Sequence, residues 1–121
     1  MSQVAPEWTF LSNYAHVLVC LAQNSRIRLR DVADRVGITE RTAVRLVTQL
    51  DEAGIVIRVK DGRRNRYLIN VHKPMRHPIE SHCSIGELLA TILGDDVVRD
   101  LASTLAAQTS LAPRAGGLAP I

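Results

Sequence analysis

Apolar residues recur along the first half of the chain at the helical period, and the spacing then tightens to that of a strand. Tyr14, Val17, Leu18 and Leu21 form one stripe over Asn13–Gln23, with Ser12 ahead of them as an N-cap. Val32, Ala33 and Val36 give a short second helix its buried side. Ala43, Leu46, Val47 and Leu50 follow the i, i+3, i+4, i+7 spacing of a third. Gly37-Ile38-Thr39 interrupts the pattern between them. Gly37 can take the left-handed conformation that stops a helix, and the Thr39 hydroxyl can cap the next. Ile55 to Lys60 then has the β-branched alternation of a strand, Asp61-Gly62 is a two-residue hairpin signal, and Arg63 to Ile69 reads as the return strand.

The pattern changes after Val71. Pro74 and Pro78 exclude regular structure from His72 to Cys83, which reads as a connector. Ser84 with Glu87 makes a capping box for a helix through Leu93; Gly94 stops it, and Asp95 can cap another helix that runs to about Gln108. The organisation expected is a lead-in over 1–11, a helix-and-hairpin domain over 12–71, the connector over 72–83, two helices over 84–108 and a disordered tail over 109–121.

Two short helices joined by a tight break, with Arg41 and Arg45 one turn apart on the second, make Leu29–Gly54 a helix-turn-helix pattern with Thr39–Ala53 as its recognition helix. The hairpin after it supplies a wing. The sequence here resembles the winged helix-turn-helix transcription regulators of the MarR and ArsR type. The resemblance spans Arg26–Asn70 and is clearest in VADRVGITERTAVRLVTQLDEAGIV with GRRNRY following. It implies a mainly α fold with a small antiparallel β-hairpin wing, an α+β winged helix-turn-helix followed by C-terminal helices. It also implies a short third strand at Arg26-Ile27-Arg28-Leu29, and a Ser or Thr just before the next helix where this chain has Arg30. Asp31 is still placed to meet that helix's dipole.

Charge sharpens this picture. The net charge is only +3, but residues 24–66 carry eleven Lys or Arg against six Asp or Glu, and both flanks are slightly acidic. A basic face concentrated in one segment suits a polyanionic partner, because each neutralised phosphate releases condensed counterions. The partner expected is double-stranded DNA. On the recognition helix the residues left after the core positions are Thr39, Glu40, Arg41, Thr42, Arg45 and Thr48, with Val44 shared between core and surface. Arg bonds guanine in a fork, Thr bonds phosphate or touches a thymine methyl, and Glu accepts from a cytosine amino group or simply favours the helix dipole. By the resemblance, Arg41, Thr42 and Arg45 stand where such regulators meet DNA. The wing offers Lys60, Arg63, Arg64 and Arg66, with Arg63 and Arg64 first among them for phosphate or minor-groove contact.

With one Trp, one Phe and two Tyr, the core must come from aliphatic residues. Trp8 and Phe10 are read as covering the first helix, with entry into a partner subunit as the alternative. Ile85, Leu88, Leu89, Ile92, Leu101 and Leu105 cover more helix surface than one core needs, and the resembling families imply a homodimer built on them. A pocket between the winged domain and the C-terminal helices could hold an unidentified small-molecule effector, although no polar constellation defines one. Cys20 and Cys83 do not make a disulfide framework, and Cys20 reads as a buried thiol. No run approaches the roughly 18 apolar residues of a membrane span. A cytoplasmic setting is expected.

His72, His77, His82 and Cys83 are weak metal candidates, because their spacing matches no tight ligand pair, and hydrogen bonds around the Pro turns are the better reading. No cofactor is implied, and no phosphate loop, nucleophile elbow or zinc-protease motif points to an enzyme. The function expected is that of a sequence-specific DNA-binding transcription regulator. The alternatives are a winged-helix module that joins a protein assembly, or an architectural module that binds DNA without sequence preference.

Overall fold

α1 (Asn13–Gln23), α2 (Leu29–Val36) and α3 (Glu40–Glu52) pack against one another because each has a single apolar stripe to bury. The computed structural model describes residues 6–111, those of 109–111 by backbone alone. Val17 and Leu21 of α1, Val32 and Ala33 of α2, and Ala43, Leu46, Val47 and Leu50 of α3 are buried together with Ile55 and Val56. These are the stripes that the spacing predicts. β1 (Val56–Asp61) follows α3 and pairs with β2 (Arg64–Ile69) in a two-stranded antiparallel sheet. The chain divides between Leu68 and Ile69 into two units.

Local chemistry sets the ends of these elements, in several places by a different atom from the one expected. Ser12 does precede α1, yet its backbone carbonyl, not its hydroxyl, accepts from Ala15 N and His16 N. Gly37 has φ +89° and its N–H returns to the Ala33 carbonyl, which ends α2 as the sequence predicts. Thr39 is extended, and its hydroxyl accepts from Thr42 N to start α3. α2 begins at Leu29, behind an extended Arg28 that offers no side-chain cap, so the cap position is not at Arg30.

The expected third strand does not form. A turn at Asn24, closed by Ile27 N to the Asn24 carbonyl, and the start of α2 at Leu29 leave too few residues for a ladder. A single backbone bond, Tyr67 N to the Ser25 carbonyl at 2.8 Å, links this segment to the hairpin. The hairpin turn is also shifted by one residue. Asp61 stays in β1, and Gly62-Arg63 make the turn. Gly62 has φ +69° and no described non-glycine residue has positive φ, so only the first turn residue is left-handed, as a II′ turn requires.

Trp8 and Phe10 do not cover α1. They are 68% and 92% exposed and pack edge-on against each other, with ring centroids 5.1 Å apart. The reason lies in α1, whose apolar side is already closed by α2 and α3. Tyr14 stands at the edge of that contact, its hydroxyl donating to Gln49. Cys20 is buried, and burial pushes its thiol pKa up against a smaller opposing pull from Arg35.

In the second unit the proline-rich segment is ordered. Pro74 and Ser84 form an antiparallel bridge, Met75 N donates to the Cys83 carbonyl, and Ile85 N donates to the Lys73 carbonyl. His77 Nδ1 accepts from Ile79 N, the kind of turn bond expected of it. α4 (Ile85–Leu93) opens with the complete Ser84/Glu87 capping box. α5 (Asp95–Leu111) packs on α4 and continues past Gln108; the rest of the expected tail lies outside the described residues. Ile85 and Leu89 are buried within the chain itself, so they are withdrawn from the set expected at a dimer interface. Leu88, Leu101 and Leu105 are half-buried, and Ile92 is 40% exposed.

Gly86 is where α4 meets the backbone of the preceding turn. Its N–H donates to the Val71 carbonyl, and a Cβ there would lie 2.9 Å from that oxygen and 3.3 Å from Val98 Cγ1. Helix propensity alone would make Gly86→Ala stabilising by about 1 kcal/mol. The overlap with backbone reverses the sign, and the variant should lose about 1–3 kcal/mol in urea unfolding, the range for overpacked sites.

Candidate nucleic-acid interface

The burial of one face of α3 determines what its other face presents. Ala43, Leu46, Val47 and Leu50 point inward, so Arg41, Val44, Arg45 and Thr48, at the same i, i+3, i+4, i+7 spacing, form the outward stripe. Arg41 and Arg45 are exposed one turn apart and make no ion pair or hydrogen bond among the described residues. Val44 is 43% exposed between them. Its outward position resolves the division between core and surface that the sequence left open. Glu40 is exposed in the first turn, where a carboxylate also favours the helix dipole.

Thr39 and Thr42 act as a pair. The Thr39 hydroxyl accepts from Thr42 N at 3.1 Å and donates to Thr42 Oγ1 at 2.9 Å, which leaves the Thr42 hydroxyl proton for an outside acceptor. Thr39 is thus engaged in the fold, and Thr42 is the better placed of the two for phosphate. Thr48 is half-buried at the far end of the stripe.

The wing separates its basic residues into two groups. Lys60 and Arg63 are exposed and make no described ion pair. Arg64 is exposed as well, but its guanidinium donates to the backbone carbonyl of Arg26. That bond orients it toward the segment before α2, and it is no longer equivalent to Arg63 as a candidate phosphate ligand. Arg66 is half-buried nearer the base of the hairpin. The base is tied to α3 by Arg58, whose Nε and Nη2 both donate to Asp51 Oδ2, at 3.0 and 2.9 Å.

Arg26, Arg28 and Arg30 lie outside the site residues that the sequence pattern marks, because it predicts a strand over Arg26–Leu29 and puts Arg30 at the position before the helix. Arg26 pairs with Asp61 of the wing. Arg28 and Arg30 are exposed at the start of α2 without a described ion pair. Arg28 and Arg64 also flank an open cleft of about 250 Å³ floored by Ile27 and Tyr67. The signal available in the sequence was the run of three arginines at alternate positions. Read as the approach to a helix, it adds basic side chains beside the wing.

Of the metal candidates, His72, His77 and His82 are exposed and Cys83 is half-buried. No group of three potential metal ligands gathers among the described residues. No helix among them is long and apolar enough to cross a membrane.

Residues 16–57 match a family model described as winged helix-turn-helix DNA-binding, which takes in most of α1, all of α2 and α3, and the first residues of β1. Among solved structures, the chain is similar to a MarR family protein of Mycobacterium tuberculosis in complex with salicylic acid. The identity is 20% and the TM-score 0.46, over 81% of this chain and 65% of that one. The chain thus spans just under two thirds of that protein's length. No curated protein sequence matches it. Three helices followed by a hairpin give the winged helix-turn-helix fold, and residues 16–57 of it are similar to the DNA-binding family that the model describes.

The Thr39 cap is the local device that starts the helix carrying the outward stripe. Thr39→Ala should lower unfolding free energy by about 1 kcal/mol, and Thr39→Ser should keep most of it, as measured by denaturant titration.

Proposed function

We propose that the chain is a sequence-specific, double-stranded DNA-binding transcription regulator of the MarR-like type that acts as a homodimer. The observation that carries this reading is the outward stripe of α3, where two unpaired arginines flank an exposed valine on a helix whose other side is closed by the core. Such a stripe has the dimensions and chemistry for the major groove. Arg41 and Arg45 supply forked donors for guanine O6 and N7, and Val44 supplies an apolar surface for a thymine methyl. Thr42 donates to a phosphate and fixes the register of the helix. Lys60 and Arg63 on the wing, with Arg28 and Arg30 at the start of α2, neutralise backbone charge on either side.

A single stripe of this length reads only a few base pairs, and a two-fold pair of copies doubles the site. Ile92, with half-buried Leu88, Leu101 and Leu105, supplies apolar surface on α4 and α5 for such a pairing. The two recognition helices would then enter successive major grooves roughly 34 Å apart.

Selection of bound duplexes from a random pool at roughly physiological salt tests this reading. Enrichment of an inverted repeat with half-sites about one helical turn apart is the expected result. Recovery of duplexes without a shared sequence would instead support architectural binding. If none is recovered at any moderate salt, the reading fails in favour of a protein partner.

A further inference from the structure

In place of a third strand, the segment before α2 holds the wing by three contacts. Tyr67 N donates to the Ser25 carbonyl, the Arg26 guanidinium pairs with the Asp61 carboxylate, and the Arg64 guanidinium donates to the Arg26 carbonyl. The two side-chain contacts are placed with some economy. Asp61 is the last residue of β1 and Arg64 the first of β2, so they bracket the Gly62-Arg63 turn, and both converge on Arg26. A two-stranded hairpin is marginal without further support, and its tip is the part farthest from the core. Val56, Tyr67, Leu68 and Ile69 are buried at the base, whereas Lys60, Gly62, Arg63 and Arg64 are exposed.

We propose that Asp61 and Arg64 are positioning residues of the nucleic-acid interface, bracing the wing tip on Arg26 so that Lys60 and Arg63 are aimed at the DNA backbone. The inference rests on the DNA-binding reading and deepens it. It divides wing residues of similar exposure into Lys60 and Arg63, which touch the polyanion, and Arg64, which acts through the chain's own backbone. It also gives a role to Asp61, an acid beside a face that otherwise gathers positive charge. Field effects alone make that acid unfavourable, since its removal raises the local charge by one and should tighten binding to any duplex. The brace predicts the reverse.

The discriminating variant is therefore Asp61→Ala, measured for affinity to a fixed duplex at two salt concentrations and for amide hydrogen exchange from Val59 to Asn65 in the free protein. An ion pair between an exposed Arg26 and a half-buried Asp61 corresponds to at most about a five-fold effect, so binding should weaken by about two- to five-fold despite the added positive charge. The wing amides should exchange faster while those of α3 do not, and Asp61→Glu should recover part of both effects. Arg63→Ala should weaken binding and flatten its salt dependence by about one phosphate contact, with exchange in the wing unchanged. Equal or tighter binding by Asp61→Ala, or unchanged exchange of its wing amides, overturns the proposal. Asp61→Asn keeps the size of the side chain and repeats the comparison should the alanine variant not fold. A wild-type chain that binds no duplex overturns the DNA-binding reading, and the proposal with it, whatever the exchange result.

Discussion

The rest of the structure depends on the burial of one side of α3. Ala43, Leu46, Val47 and Leu50 are closed in by α1 and α2, and this fixes the rotation of the helix about its own axis. A helix so fixed has no choice about what it shows to solvent. Arg41, Val44, Arg45 and Thr48 face outward because their neighbours in sequence face inward. The core thus acts on function through geometry. Among the described residues it buries no charged side chain, yet it determines which charged side chains face solvent.

The hairpin is subject to a weaker version of the same constraint. Its base is buried and tied to α3 by Arg58 on Asp51, but its tip is held by polar contacts alone, with Arg26 on Asp61 and Arg64 on the Arg26 carbonyl. Each such contact is worth little by itself at an exposed site. Their value lies in direction. Of the eleven basic residues over 24–66, those occupied in bracing the fold already have partners, so the count of positive charge overstates the surface open to a polyanion. The unpaired group of Arg28, Arg30, Arg41, Arg45, Lys60 and Arg63 is the better guide to it.

What the sequence made legible was whatever depends on spacing or on one residue's intrinsic preference. The three apolar stripes, the left-handed Gly37, the Thr39 cap and the Ser84/Glu87 box all lie where the pattern puts them. What it hid depends on contacts between distant residues. The Asp61-Gly62 signal is real, but Gly62 alone takes the positive φ while Asp61 is held in the strand opposite Arg26. The alternation over Arg26–Leu29 predicts a strand, but the chain enters α2 before a ladder can form. Ile85 and Leu89 looked like interface residues, because periodicity reports that a face is apolar and not what covers it. Trp8 and Phe10 failed in the opposite direction, for their expected partner was already covered.

The central claim is that the outward stripe of α3 reads base pairs. Its most direct test is a double-mutant cycle between Arg45→Ala and single base-pair changes in a bound duplex, at one salt concentration. If the stripe reads sequence, the protein variant and one particular base-pair change will be coupled by about 1–3 kcal/mol, with the other positions additive. Uniform weakening across every base-pair variant, with no coupled position, would contradict the claim and reduce Arg45 to a backbone contact.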